Sequence, residues 1–154
     1  CKRIIKREQV GPTQQNPNAP LGPDFAIIET DRDVNNHAPL RLNLQRATVN
    51  IDNGTQLLLI GHPSGLPTKI EDGGRVRDNS KNGFFIANTD SYGGNSGSGV
   101  FNLRTGEIEG VLVRGEQDYV NVNGCYVSKV CAEGACRGED ITKIAAILPY
   151  LKQR

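Results

Sequence analysis

The chain has 154 residues and a formal net charge of +1, and its basic residues are scattered apart from the run Lys2 to Arg7, so charge gives no case for a nucleic-acid partner. No apolar run is long enough to cross a bilayer, so a soluble chain without a membrane partner is expected. With 18 glycines, 8 prolines, no tryptophan, no methionine and apolar content drawn mostly from Leu, Ile and Val, the composition is that of a turn-rich, mostly β protein.

Cys1 to Arg7 and Phe25 to Thr30 read as strands, the first presenting its basic side chains on one exposed face. Between them, residues 11–23 are too rich in Pro, Gly and Asn for regular structure and predict an exposed loop. Further strand signals follow at Gln56 to Gly61, Phe84 to Ala87, Gly99 to Leu103, Glu107 to Val113 and Tyr119 to Val130. Turns such as Asp52-Asn53-Gly54 and Arg104-Thr105-Gly106 punctuate them, which predicts an antiparallel barrel. From Glu139 to Lys152 the period changes: Ile141, Ile144, Ala145, Leu148 and Leu151 share one helical stripe behind a possible Asp140 N-cap, with Pro149 set to kink or restart the helix.

Two segments carry chemistry. In Thr89 to Phe101 a serine, Ser96, sits among glycines on what must be a tight turn. Such a turn can present the hydroxyl to a carbonyl while the bare amides of Gly94 and Ser96 converge on the oxyanion that forms. The plainer alternative is a Gly/Ser-rich connection between two strands. Upstream, Asp24 opens the apolar strand Phe25-Ala26-Ile27-Ile28, where an aspartate can also serve only to bond turn amides.

Together these segments resemble the nucleophile loop and the aspartate-led strand of trypsin-like serine peptidases. The resemblance implies an all-β chain: a trypsin-like antiparallel barrel with a C-terminal helix over residues 51–154, and the last strands of an incomplete N-terminal barrel plus a crossover over 1–50. It implies a serine endopeptidase acting on peptide or protein substrates through an acyl-enzyme, with Ser96 as nucleophile, the Gly94 and Ser96 amides as oxyanion hole, Asp24 orienting a histidine, and no cofactor or metal. In that family the histidine precedes the aspartate. Here the only histidines, His37 and His62, both follow Asp24. The expectation is therefore that the histidine lies on an N-terminal segment outside this chain, which would be the C-terminal portion of a larger peptidase. A non-catalytic peptidase-like binding or regulatory module is the alternative.

His62 is read as structural. The order Asp24, His62, Ser96 matches that of subtilisins, but their local motifs are absent, and the histidine of an α/β-hydrolase would have to follow the serine. Asn95 stands where animal trypsins carry an aspartate, so Gly-Gly-Asn-Ser-Gly-Ser and Ile60 to Lys69 are more similar to the bacterial secreted branch. Asn95 is expected to bond nearby backbone and hold the oxyanion loop. Asp90, six residues before Ser96, takes the place of a pocket-floor carboxylate that would select Arg or Lys, with Gly115 and Gly124 keeping the pocket walls open. Leu112 replaces the histidine usual in glutamate-selective enzymes.

Four cysteines beside this motif fit an oxidising compartment, secreted or periplasmic. No histidine lies near Cys125, Cys131 and Cys136, so a zinc site would need all four thiolates. A Cys131–Cys136 disulfide across the intervening loop is expected instead.

Overall fold

The computed structural model describes residues 1–132 and 134–151. Glu133, in the expected disulfide loop, and Lys152, at the end of the expected helix, lie outside the described residues. Two strands, β1 (Arg3–Gln9) and β2 (Asp24–Glu29), form an antiparallel ribbon of their own. A crossover with a 3₁₀ turn at Leu44–Ala47 leads from it to the main sheet.

That sheet contains β3 (Leu57–Gly61), β4 (Lys69–Glu71), β5 (Val76–Asp78), β6 (Phe84–Ala87), β7 (Gly99–Asn102), β8 (Ile108–Arg114) and β11 (Glu139–Lys143). Its order is β4-β3-β7-β8-β11-β6-β5, antiparallel throughout. The sheet curls into a half-barrel. Backbone hydrogen bonds from Leu57 N to Gly74 O (2.8 Å) and from Val76 N to Thr55 O (3.0 Å) draw the head of β3 toward that of β5. Strand β3 alternates as a half-buried surface requires, with Leu57 and Leu59 turned inward to meet Phe85, Val100, Leu112 and Ile141. Burying such side chains supplies about 1.5–3 kcal/mol each and fixes the register of the strands.

The predicted Tyr119 to Val130 strand is a hairpin of β9 (Tyr119–Val122) and β10 (Cys125–Ser128). Its turn uses Asn123 and Gly124, both at positive φ, as a tight hairpin of this hand demands.

The tail differs from its expectation. Residues 139–143 form strand β11, and α1 (Ile144–Ile147) lasts one turn before Pro149 enters a 3₁₀ turn, Leu148–Tyr150. Asp140 therefore caps no helix. Strands β6 and β8 pair with β11 on both sides, and Asp140, Ile141 and Thr142 are all buried there. Pairing on two edges overrides a local helical stripe. A second apolar cluster, Phe25 with Ile144 and Ile147, packs the ribbon against α1.

Two polar devices fix the rest. Glu109 on β8, its side chain fully buried, accepts hydrogen bonds from Asn43 Nδ2 (2.9 Å), Asn102 Nδ2 (2.9 Å) and Arg46 Nε (2.7 Å), tying the crossover to β7 and β8. Burial alone would raise its pKa, but the hydrogen bonds from Arg46 and Asn102 hold it below the ordinary value. Thr142 Oγ1 on β11 accepts from Asp24 N and donates to Asp24 O, both at 2.9 Å, clamping the start of β2 to the barrel.

Replacing Glu109 by Ala leaves Arg46 unpaired and should lower unfolding stability by about 3–5 kcal/mol in urea titrations. Because the folded-state pKa of Glu109 is depressed, its contribution is complete above the unfolded carboxylate pKa and is lost as pH falls through the folded value. Thr142→Val keeps the shape but leaves two partly buried backbone groups of Asp24 without this partner, and should cost about 1–3 kcal/mol, whereas Thr142→Ser should cost clearly less.

Candidate active site

The loop between β6 and β7 carries the expected serine, and its amides can be accounted for one by one. Gly93 N donates to Asp118 Oδ2 (2.7 Å), Asn95 N to Tyr92 O (3.2 Å), Gly97 N to Leu112 O (2.7 Å) and Ser98 N to Asn95 O (2.9 Å). The amides of Gly94 and Ser96 donate to nothing among the described residues. Ordered backbone amides normally find partners, so these two donors beside an exposed serine hydroxyl stand free to meet an acceptor. Gly94 holds φ +99°, which a side chain would strain, and a Cβ there would lie 3.1 Å from Ser64 N. Ser64 N in turn donates to Gly93 O at 2.7 Å, so the Pro63–Gly65 turn braces the loop that carries Ser96.

Asn95 is buried, and its Nδ2 donates to Ser91 Oγ at 3.1 Å. Its side chain thus holds the loop through a hydroxyl, not through the backbone partner expected from the sequence.

Ser96 Oγ donates to Val113 O at 3.0 Å. Ser96 and Asp24 line one open cavity of about 850 Å³, together with Gly97, Val113, and Arg7 and Glu8 of β1. Neither histidine lines it. The two ring nitrogens of His62 lie 3.3 Å from Leu66 O and from Thr68 Oγ1, and His37 stands in an exposed stretch of the crossover. Asp24 keeps its place through Thr142, and Arg114 adds a second tether, with Nη2 donating to Gly22 O (2.6 Å) and Nε to the buried Asp140 (2.9 Å). Neither Thr142 nor Arg114 carried a sequence signal, because each acts on a residue about a hundred positions away.

A second hollow, about 490 Å³, opens beside the nucleophile loop between residues 88–92, 116–118 and the disulfide loop. Asp90 lines it but is exposed, so the buried pocket-floor carboxylate expected from the spacing is not what Asp90 provides. Gly124 lies in the β9–β10 turn with nothing near its missing Cβ, and does not line the hollow. Gly115 is pressed against Glu139: a Cβ there would collide with the Glu139 carboxylate, so this glycine makes room for a protein side chain. Glu139 lines the hollow, and burial, then the charge of Asp118, pushes its carboxyl up to about 7. The sequence reading assigned Glu139 to a helix start and overlooked it. Cys131 and Cys136 form the expected disulfide, with Cα atoms 5.9 Å apart, on the same wall. Cys1 and Cys125 are free and exposed.

No helix among the described residues is long and apolar enough to cross a membrane, and none of their His, Cys, Asp and Glu side chains gather as a metal site. No curated protein is significantly similar to the chain in sequence. Among solved structures, the inactive form of Rv3671c protease matches with a TM-score of 0.55 and 15% identity, over 84% of this chain and 61% of that one. The active form of Rv3671c protease from M. tuberculosis matches with a TM-score of 0.51 and 14% identity, over 75% of this chain and 48% of that one. The chain thus spans about half to three-fifths of those proteins, and the likeness is one of fold: a curled antiparallel half-barrel with one short C-terminal helix. A family model described as the trypsin-like peptidase domain matches residues 4–111, a span that holds Asp24, Gly94 and Ser96, and the chain belongs to that family.

Proposed function

We propose that this chain supplies the nucleophile, the oxyanion donors and the orienting aspartate of a serine endopeptidase. The observation that carries the reading is the pair of unpaired amides, Gly94 and Ser96, beside an exposed serine hydroxyl that shares a cavity with Asp24. In this reading a base removes the Ser96 proton as Oγ attacks the scissile carbonyl, and the two amides receive the oxygen's charge. The base then protonates the departing amine, and water resolves the acyl-enzyme by the same steps.

The base is a histidine borne by polypeptide outside these 154 residues, entering the cavity beside Asp24. Both histidines present stay out of that cavity. The β1–β2 ribbon also exposes Ile4 (57%), Ile5 (45%) and Ile28 (54%), an apolar surface suited to a covering layer. The disulfide supports a secreted or periplasmic setting, and the Gly-Gly-Asn-Ser-Gly-Ser loop a bacterial branch. Arg or Lys before the scissile bond is the preferred substrate side chain, because the hollow beside the loop carries more carboxylates than cations. A second reading, a peptide-binding or regulatory module without turnover, is favoured by one observation: among the described residues Ser96 Oγ is bonded to the Val113 carbonyl and to no base.

The chain as given should hydrolyse peptides about 10⁶-fold more slowly than the same chain extended by its natural upstream sequence, the scale of losing one triad member. In the extended protein Ser96→Ala should abolish turnover. Robust Ser96-dependent hydrolysis by the 154 residues alone would overturn the external base and transfer the role to His62, which His62→Ala would then check. An extended protein that binds peptides without cleaving them would establish the module reading.

A further inference from the structure

The wall of the hollow beside the nucleophile loop carries four carboxylates, Asp90, Glu116, Asp118 and Glu139, against two cations, Arg77 and Lys129. Most of this charge is already engaged. Glu116 pairs with Lys129 at 3.0 Å and accepts from Arg137 N, Asp118 accepts from Gly93 N, and Arg77 donates to Cys136 O. Asp90 and Glu139 have no hydrogen bond or ion pair among the described residues, and of the two only Glu139 is withdrawn from solvent.

We propose that Glu139 is the residue that selects the substrate side chain in this hollow: ionised, it receives the guanidinium or ammonium of Arg or Lys, and protonated, it admits a neutral side chain such as Gln or Leu. The proposal rests on the peptidase reading above. A desolvated carboxylate without a counter-charge gains most from a cationic ligand, whereas exposed Asp90 already has water. The charged groups around Glu139 are Asp118 and Glu116 after β8, Arg137 on the disulfide loop and Asp140 on its own strand, with Asp90, Arg77 and Lys129 on the remaining walls. Burial and Asp118 raise its pKa to about 7, while Arg137 opposes them. Selection by charge therefore changes across neutral pH, and acidification broadens the substrate range.

Calorimetric titration of the 154-residue protein with benzamidine, an aryl amidinium, reads the hollow without requiring turnover. From about pH 5.5 to 8.5 the affinity should rise about tenfold or more, one charge-assisted hydrogen bond's worth. Glu139→Gln should flatten that rise, and Asp90→Asn should keep it. An absent or pH-independent affinity, a rise that survives in Glu139→Gln, or one lost in Asp90→Asn overturns the assignment. Denaturation across pH gives a second measure. The folded protein holds an extra proton between the ordinary value of 4.5 and about 7, so stability should fall as pH rises through that window, and the fall should vanish in Glu139→Gln. Hydrolysis by the upstream-extended protein is scored separately. Missing hydrolysis with intact pH-dependent binding overturns the peptidase reading, while hydrolysis whose Arg preference ignores pH overturns Glu139.

Discussion

The hydroxyl of Thr142 makes two hydrogen bonds to one residue, taking the amide of Asp24 and giving to its carbonyl, and the relation between Asp24 and Ser96 depends on it. Thr142 lies on β11, which pairs with β8. Ser96 in turn hangs from β8, through Gly97 N to Leu112 O and Leu112 N to Ser98 O. Aspartate and serine are thus joined through two paired strands of a packed sheet, with no flexible segment between them. Each bond contributes only about 0.5–1.5 kcal/mol net, but leaving either group buried and unpaired costs more, so the register is strongly held.

Two buried carboxylates and one half-buried one illustrate different uses of charge. Glu109 is matched by Arg46 and two asparagine amides, and joins the crossover to the barrel. Asp140 is matched by Arg114 and Arg137, and so connects β11 to β8 and to the disulfide loop. Both are complete, and a complete buried pair serves geometry more than net stability. Glu139, next to Asp140 in the chain, lines the hollow and has no hydrogen bond or ion pair among the described residues. Neighbouring residues of a strand face opposite ways, so one pair of acidic residues supplies an internal brace and an unmatched wall charge.

What the sequence revealed follows the range over which each signal acts. The glycines around Ser96 imply a turn with free amides, and the apolar, β-branched runs of β3 and β8 imply strands, because both are properties of adjacent residues. The short loop between Cys131 and Cys136 similarly implied their pairing. Strands β4 and β5, three residues each, are too short for alternation to show and were not foreseen. The apolar stripe behind Asp140 suggested a helix, since the strands that pair with β11 on either side, β6 and β8, lie tens of residues away in the chain. Asp90 was placed at a pocket floor by counting from Ser96, and counting carries no information about solvent exposure.

The β9–β10 hairpin has a consequence for how the molecule moves. Its strands pair with each other alone, and all of β10 is exposed, as are Tyr126 (75%) and Val130 (91%). With few buried contacts to lose, it can detach by local unfolding at low cost, and its amides should exchange with solvent hydrogen faster than those of β8 or β11. Yet Lys129 and Val130 at its base rim the acidic hollow, and Tyr119 at its start bonds Ser64, whose amide holds Gly93. One hairpin thus both borders the hollow and braces the loop that carries Ser96.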